Sequence, residues 1–246
     1  MTSSDESEEL PAARFVGADL HGALFVGADL SGVVMRGVDV QGADIDGPWL
    51  AEEGGSLVVN GVDVVPLVEA ELDRRYPGRG QRRAPDPDGL RAAWAAIERT
   101  WAATLERVAA MSAGTVDVSV GGEWSFAQTL RHLVMATDVW LGRAVLGLAQ
   151  PYAEFQTDGH DMSVFAAGIP PYDEVLQARA DRVAKVRDFL ATVTPSDLSG
   201  LRRSPWDPDH EKTVLGCLNV ILGEEWEHYR YAVRDLDVLA AGSRQG

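Results

Sequence analysis

Two periods of hydrophobic residues divide this chain. The first is a period of five. From Ala13 to Gly47 the sequence reads ARFVG, ADLHG, ALFVG, ADLSG, VVMRG, VDVQG and ADIDG, seven pentads without a break. Glycine closes each pentad, and the first position is Ala or Val. The third is always large and apolar: Phe15, Leu20, Phe25, Leu30, Met35, Val40 and Ile45. Five fits neither the 3.6-residue helix nor the two-residue strand. It predicts a square coil in which each pentad makes one side, the apolar residues point inward and glycine permits the corner. Seven sides make under two turns, so the open ends need covers and the coil is expected to pack on its neighbour.

The second period is helical and begins after a connector. Residues 51–86 hold a predicted strand, Leu57–Val59, and a short helix from about Pro66, where proline suits the first turn. The Gly/Pro/Arg run GRGQRRAPDPDG is predicted as a linker and domain boundary. Beyond it, Leu90, Trp94, Ile97, Trp101, Leu105 and Val108 recur at helical spacing. A second helix opens on the capping-box pattern Ser125-x-x-Gln128 and meets Gly147, with Phe126, Leu130, Leu133, Trp140 and Ala144 as its stripe. A third turns Val175, Leu176, Val183, Val186 and Leu190 inward, RRSPWDPDHEK reads as a loop, and a fourth helix runs from Thr213 to about Ala241. Four such helices with a long middle connection predict a four-helix bundle, and the fold class is mainly α. The domain layout is an acidic tail over 1–10, the repeat over 11–50, the connector over 51–86 and the bundle over 87–240.

The fourth helix breaks its own pattern. Leu215, Leu218, Leu222, Trp226, Tyr229 and Val233 share a core face, and Cys217, Val220, Ile221 and Tyr231 form an apolar flank beside it. Glu224 and His228 interrupt that flank one turn apart, so both side chains can converge on one ion. On the second helix His132 lies at the stripe's edge, in line with Ala136, Val139 and Arg143. One histidine from one helix and a Glu-x-x-x-His pair from another supply three ligands, which leaves positions open for chemistry. Spacing leaves Glu225-x-x-His228 as an equal alternative, and it leaves both histidines as ordinary hydrogen-bonded core.

Composition narrows the chemistry. The single cysteine, Cys217, excludes an internal disulfide and a multi-cysteine zinc site, so any metal must take His and carboxylate ligands. The formal charge of -16 argues against nucleic acid and against an anionic membrane surface. The acidic start MTSSDESEEL is unlike a signal or transit peptide, which sets a cytoplasmic location as the expectation.

Two resemblances follow from these residues. The pentads resemble the pentapeptide-repeat family, which implies a right-handed quadrilateral β-helix. The stretch 87–240 resembles the DinB/YfiT-like superfamily of metal-binding four-helix bundles. EWSFAQTLRHLVMATDVWLGRAVLG and EEWEHYRYAVRDL are similar to its mycothiol-dependent maleylpyruvate isomerase and S-transferase branch. That branch implies a His, Glu, His ligand set with the last two four apart: His132, Glu224 and His228. Glu225 then lies behind the ligands and Glu227 faces solvent. The resemblance implies a divalent metal, zinc first and iron or nickel as alternatives. It also implies a low-molecular-weight thiol such as mycothiol and an electrophilic substrate as partners, in a monomer or homodimer. Metal-dependent hydrolysis, with water as the nucleophile, is the alternative chemistry. A non-catalytic metal- or partner-binding role is the third, since some pentapeptide-repeat proteins are acidic mimics of DNA. Arg143, Arg179 and Arg182 are candidate carboxylate or cofactor contacts, with surface salt bridges as their plainer role. His160 and His210 fall in predicted loops, His21 points outward, and Cys217 reads as a small core residue rather than a nucleophile.

Overall fold

The computed structural model describes residues 13–155, 170–205 and 209–242. The chain divides into two compact units, Met1–Asp46 and Gly47–Gly246.

In the first unit every fifth residue turns the chain. Gly17, Gly22, Gly27, Gly32, Gly37 and Gly42 all hold φ between 61° and 77°, the left-handed region that only glycine enters without strain. The corners come in two kinds. At Gly22, Gly32 and Gly42 a backbone bond closes the turn (Ala23 N–H to Leu20 O, Val33 to Leu30, Ala43 to Val40), and Asp19, Asp29 or Asp39 accepts the backbone N–H two residues on. The corners at Gly17, Gly27 and Gly37 are bends without these bonds. Asp19, Asp29 and Asp39, at the second place of every other pentad up to Gly42, thus write a ten-residue period over the five, because an Asx side chain can close a turn on its own backbone. No strand is assigned among the described residues of this unit, and the large apolar column stays open to solvent, from 48% at Leu20 to 65% at Phe15.

The second unit begins with a two-stranded hairpin, β1 (Val58–Val59) and β2 (Val62–Asp63). Asn60 and Gly61 carry φ of 51° and 84°, the conformation that an Asn-Gly hairpin turn demands. The single predicted strand is therefore half of a hairpin. Helix α1 (Val65–Arg75) follows, with Pro66 in its first turn. The Gly/Pro/Arg run is not an exposed linker. Arg79 is 3% exposed and bonds Asp73 and Glu69 at 2.8 Å each, and Arg82 also pairs with Glu69.

Four long helices form the core. They are α2 (Pro87–Ala109), α3 (Phe126–Thr137), α4 (Tyr172–Thr192) and, after the one-turn α5 (Pro195–Leu198), α6 (Val214–Gly242). Asp86 caps α2, accepting from Gly89 N–H at 2.9 Å, and the predicted Ser125/Gln128 capping box starts α3. Both α2 and α3 pack against α4 and α6. Leu90, Trp94, Ile97, Trp101, Leu130, Leu133, Ile221 and Trp226 fill the middle. Each such side chain contributes about 1.5–3 kcal/mol when fully buried.

Three local features differ from the predicted pattern. The α3 axis continues past Thr137 as a π-helix over Asp138–Val145, where Gly142 lies against Pro151. The stretch 202–212 is no simple loop: β3 (Leu201–Arg203) pairs antiparallel with β4 (Glu211–Thr213), and residues 206–208 lie outside the described set. On α4 the buried face reads Val175, Arg179, Arg182, Val186, Leu190, so two arginines stand where an apolar stripe would continue. Among the described residues, no helix is long and apolar enough to cross a membrane.

Candidate metal centre

Helix α3 supplies His132, and α6 supplies Glu224 and His228 from successive turns of one face. Their donor atoms all lie within 4.8 Å of one another. His132 Nε2 is 2.9 Å from Glu224 Oε2, and His228 Nε2 is 3.2 Å from the same oxygen. Adjacent ligands at about 2.0–2.1 Å from a common ion stand about 3.0–3.4 Å apart, so the set fits a divalent metal without large movement. All three side chains are nearly buried, at 12–14% exposure.

The charge state suits the same role. Burial pushes the Glu224 carboxyl up, but its hydrogen bonds and charge interactions with His132 and His228 outweigh that and hold it at about 2. Burial holds His228 below the usual histidine value, against the opposing pull of Glu224. At neutral pH the site therefore offers a carboxylate and, at His228, a neutral imidazole, the forms that ligate metals.

The neighbouring acids of α6 point elsewhere. Glu225 is 1% exposed and pairs with Arg179 of α4, whose guanidinium lies 5.7 Å from the Trp101 ring centre. Burial pushes the Glu225 carboxyl up, and Arg179 opposes the rise. Glu227 does not face solvent as expected. It is 6% exposed, bonded to Arg79 at 3.1 Å and to Arg230 at 3.0 Å, because the turn after α1 folds over it. Each acid of EEWEH thus has its own direction: Glu224 to the site, Glu225 to α4, Glu227 to the connector.

An aromatic frame encloses the histidines. The Trp124 ring stacks on His228, with centroids 5.7 Å apart and planes 12° from parallel, and meets His132 at 4.9 Å. The two imidazoles are 4.3 Å apart, and Tyr231 meets His228 edge-on at 5.8 Å. Sequence periodicity missed Trp124 because it precedes the helix. Its one signal was its place directly before the capping serine.

The remaining candidates lie elsewhere. Cys217 is fully buried and its thiol is pushed up to about 11 by burial, as fits a core residue. Arg179 and Arg182 are neither surface groups nor open anion contacts. Both are buried, Arg182 against Asp138 at 2.7 Å and Pro151 O at 3.1 Å. Arg143 is exposed and donates to the Tyr152 hydroxyl at 3.1 Å. It stands eleven residues beyond His132, on the order of 15 Å along the helix. His21 and His210 are exposed, and His160 lies outside the described residues.

Comparison with known families places most of the helical domain. The DinB superfamily model matches residues 96–232, more than half of the chain and all three converging side chains. The pentapeptide-repeat model, which describes eight copies, matches residues 13–47, the seven pentads. No curated protein and no solved structure matches the chain. The protein therefore belongs to the DinB superfamily and carries pentapeptide repeats ahead of the family's helical domain.

Proposed function

We propose that this protein is a metal-dependent enzyme that activates a small thiol of the mycothiol type for attack on an electrophile, as an S-transferase or isomerase. The observation that carries the reading is the convergence of His132, Glu224 and His228 at ligand spacing, 2.9 and 3.2 Å about one carboxylate oxygen. A divalent ion held there, zinc first, supplies Lewis acidity that lowers the pKa of a thiol or water at its remaining positions. The chain does the rest. Glu224 contributes the one negative charge of the ligand set. Trp124 and Tyr231 pack against the imidazoles. Cys217 is sealed in the core, so the reacting sulfur must come from a separate molecule. Arg143 stays in the reading only as an outer contact for the thiol's polar body. The repeat, with its left-handed glycine corners, has a structural role in this reading, in a cytoplasmic monomer or homodimer.

The test is titration of zinc-loaded protein with mycothiol, bacillithiol and glutathione, beside the His132→Ala variant. Binding of one thiol by the wild type alone, with conjugation or isomerisation that requires both thiol and ion, is the expected outcome. If no thiol binds and the loaded protein hydrolyses an ester or amide unaided, water is the nucleophile. If neither occurs, the enzymatic reading falls.

A further inference from the structure

The segment before α3 crosses to α6. Gly121 and Gly122 both hold left-handed φ, 63° and 82°, and the Ser119 hydroxyl bonds Glu123 O in the same turn. The Glu123 carboxylate is then tied to Arg234 of α6, and Ser125 locks into the first turn of α3. Trp124, held between these two anchors, lies over rings from both helices: His132 at 4.9 Å and His228 at 5.7 Å. The indole stacks on His228 with planes 12° from parallel and meets His132 at a 43° tilt, and contacts at such separations restrict ring rotation.

We infer that Trp124 is a positioning residue that sets the ring orientation of His132 and His228 for ion capture, held in place by the Glu123–Arg234 tie. The inference rests on reading the site as a metal centre. Imidazole ligands need an outer group to fix their ring plane, and the usual device is a hydrogen bond to the second nitrogen. Here a flat indole face restrains two rings at once, and Tyr231 meets the edge of one from a different direction. An ion then finds both Nε2 atoms already beside the Glu224 oxygen, and less freedom is lost on binding.

The experiment measures zinc affinity of the full chain by chelator competition, with Co²⁺ absorption spectra as a second readout. The proteins are wild type, Trp124→Phe, Trp124→Leu and Glu123→Gln. Leucine fills space without an aromatic face, whereas phenylalanine restores the face. The expected result is a loss of roughly 10- to 100-fold for Trp124→Leu, the range for lost outer-shell support. Trp124→Phe should stay close to wild type, and the cobalt spectrum of the leucine variant should shift. Melting of the ion-free proteins should be alike. Equal affinity in the leucine and phenylalanine variants overturns the inference while leaving the metal centre intact. If the wild type binds no ion, the metal reading and this inference fall together. Should Trp124→Leu not fold, Glu123→Gln decides: a severalfold loss upholds the tie, and wild-type affinity overturns it.

Discussion

Glu224 and Glu225 are adjacent, yet they sit in opposite electrostatic settings. Glu224 is kept ionised beside two imidazoles, whereas Glu225 is sealed against Arg179. Substitution should separate them. Glu224→Gln is expected to abolish most zinc binding and, by removing the carboxylate that both histidines stabilise, to lower the stability of the ion-free protein near neutral pH. Glu225→Ala should retain the ion at saturating zinc but lose about 3–5 kcal/mol, because Arg179 is left as an uncompensated buried charge. Equilibrium dialysis and urea unfolding read the two effects. Equal zinc loss in both variants would sink the ligand assignment. Cys217 gives a pH-dependent case. Its pKa rises from 9.0 in the unfolded chain to about 11 when folded. The folded state therefore holds more protons between those values, and stability falls as pH rises through that window. Below pH 9 the native thiol should resist alkylation and react only on unfolding.

At the scale of elements, the π-helix that continues α3 carries a close backbone approach and a buried charge. Gly142 has no room for a side chain: a Cβ there would meet the Pro151 Cβ at 2.6 Å. Gly142→Ala is expected to cost about 1–3 kcal/mol by overpacking, measured as a lower urea midpoint at an unchanged slope. Asp138 and Arg182 link the start of the π-helix to α4, with both side chains 10% exposed or less. Arg182→Met alone should cost about 3–5 kcal/mol, whereas the double variant with Asp138→Leu should recover most of it, because a paired apolar replacement removes both desolvation costs. A double variant no more stable than the single would assign the pair a structural role beyond charge compensation.

On the scale of the molecule, every residue of the candidate metal centre and its frame lies in the unit Gly47–Gly246. A chain of residues 47–246 should therefore bind zinc with the affinity of the whole protein. A large loss on truncation would give the repeat a direct part in the site. The expected consequence of the excess of 38 acidic over 22 basic residues is solubility rather than capture of polyanions.

Periodicity by itself determined the four helices, the Ser125 cap, the glycine corners and the face that Glu224 shares with His228. Each of these follows from the repeat length of a backbone form or from a bond made within a few residues. The ten-residue rhythm of the corners was also present in the sequence, in Asp19, Asp29 and Asp39. What periodicity left open was set by long-range partners. The spacing could not choose between Glu224 and Glu225, since i+3 and i+4 both face His228. The family resemblance made that choice, and in the folded chain Glu225 pairs with Arg179 while Glu224 lies beside the two histidines. Glu227 looked solvent-facing because a polar residue on a polar side gives no sign of a turn folding over it from some 150 residues away. The arginines on the buried face of α4 and the π-helix had no local signature, and the indole over the imidazoles had only its place before the capping serine. Their partners are Asp138, Glu225, Pro151 and, beside the indole, the Glu123–Arg234 pair, groups brought together only by tertiary packing.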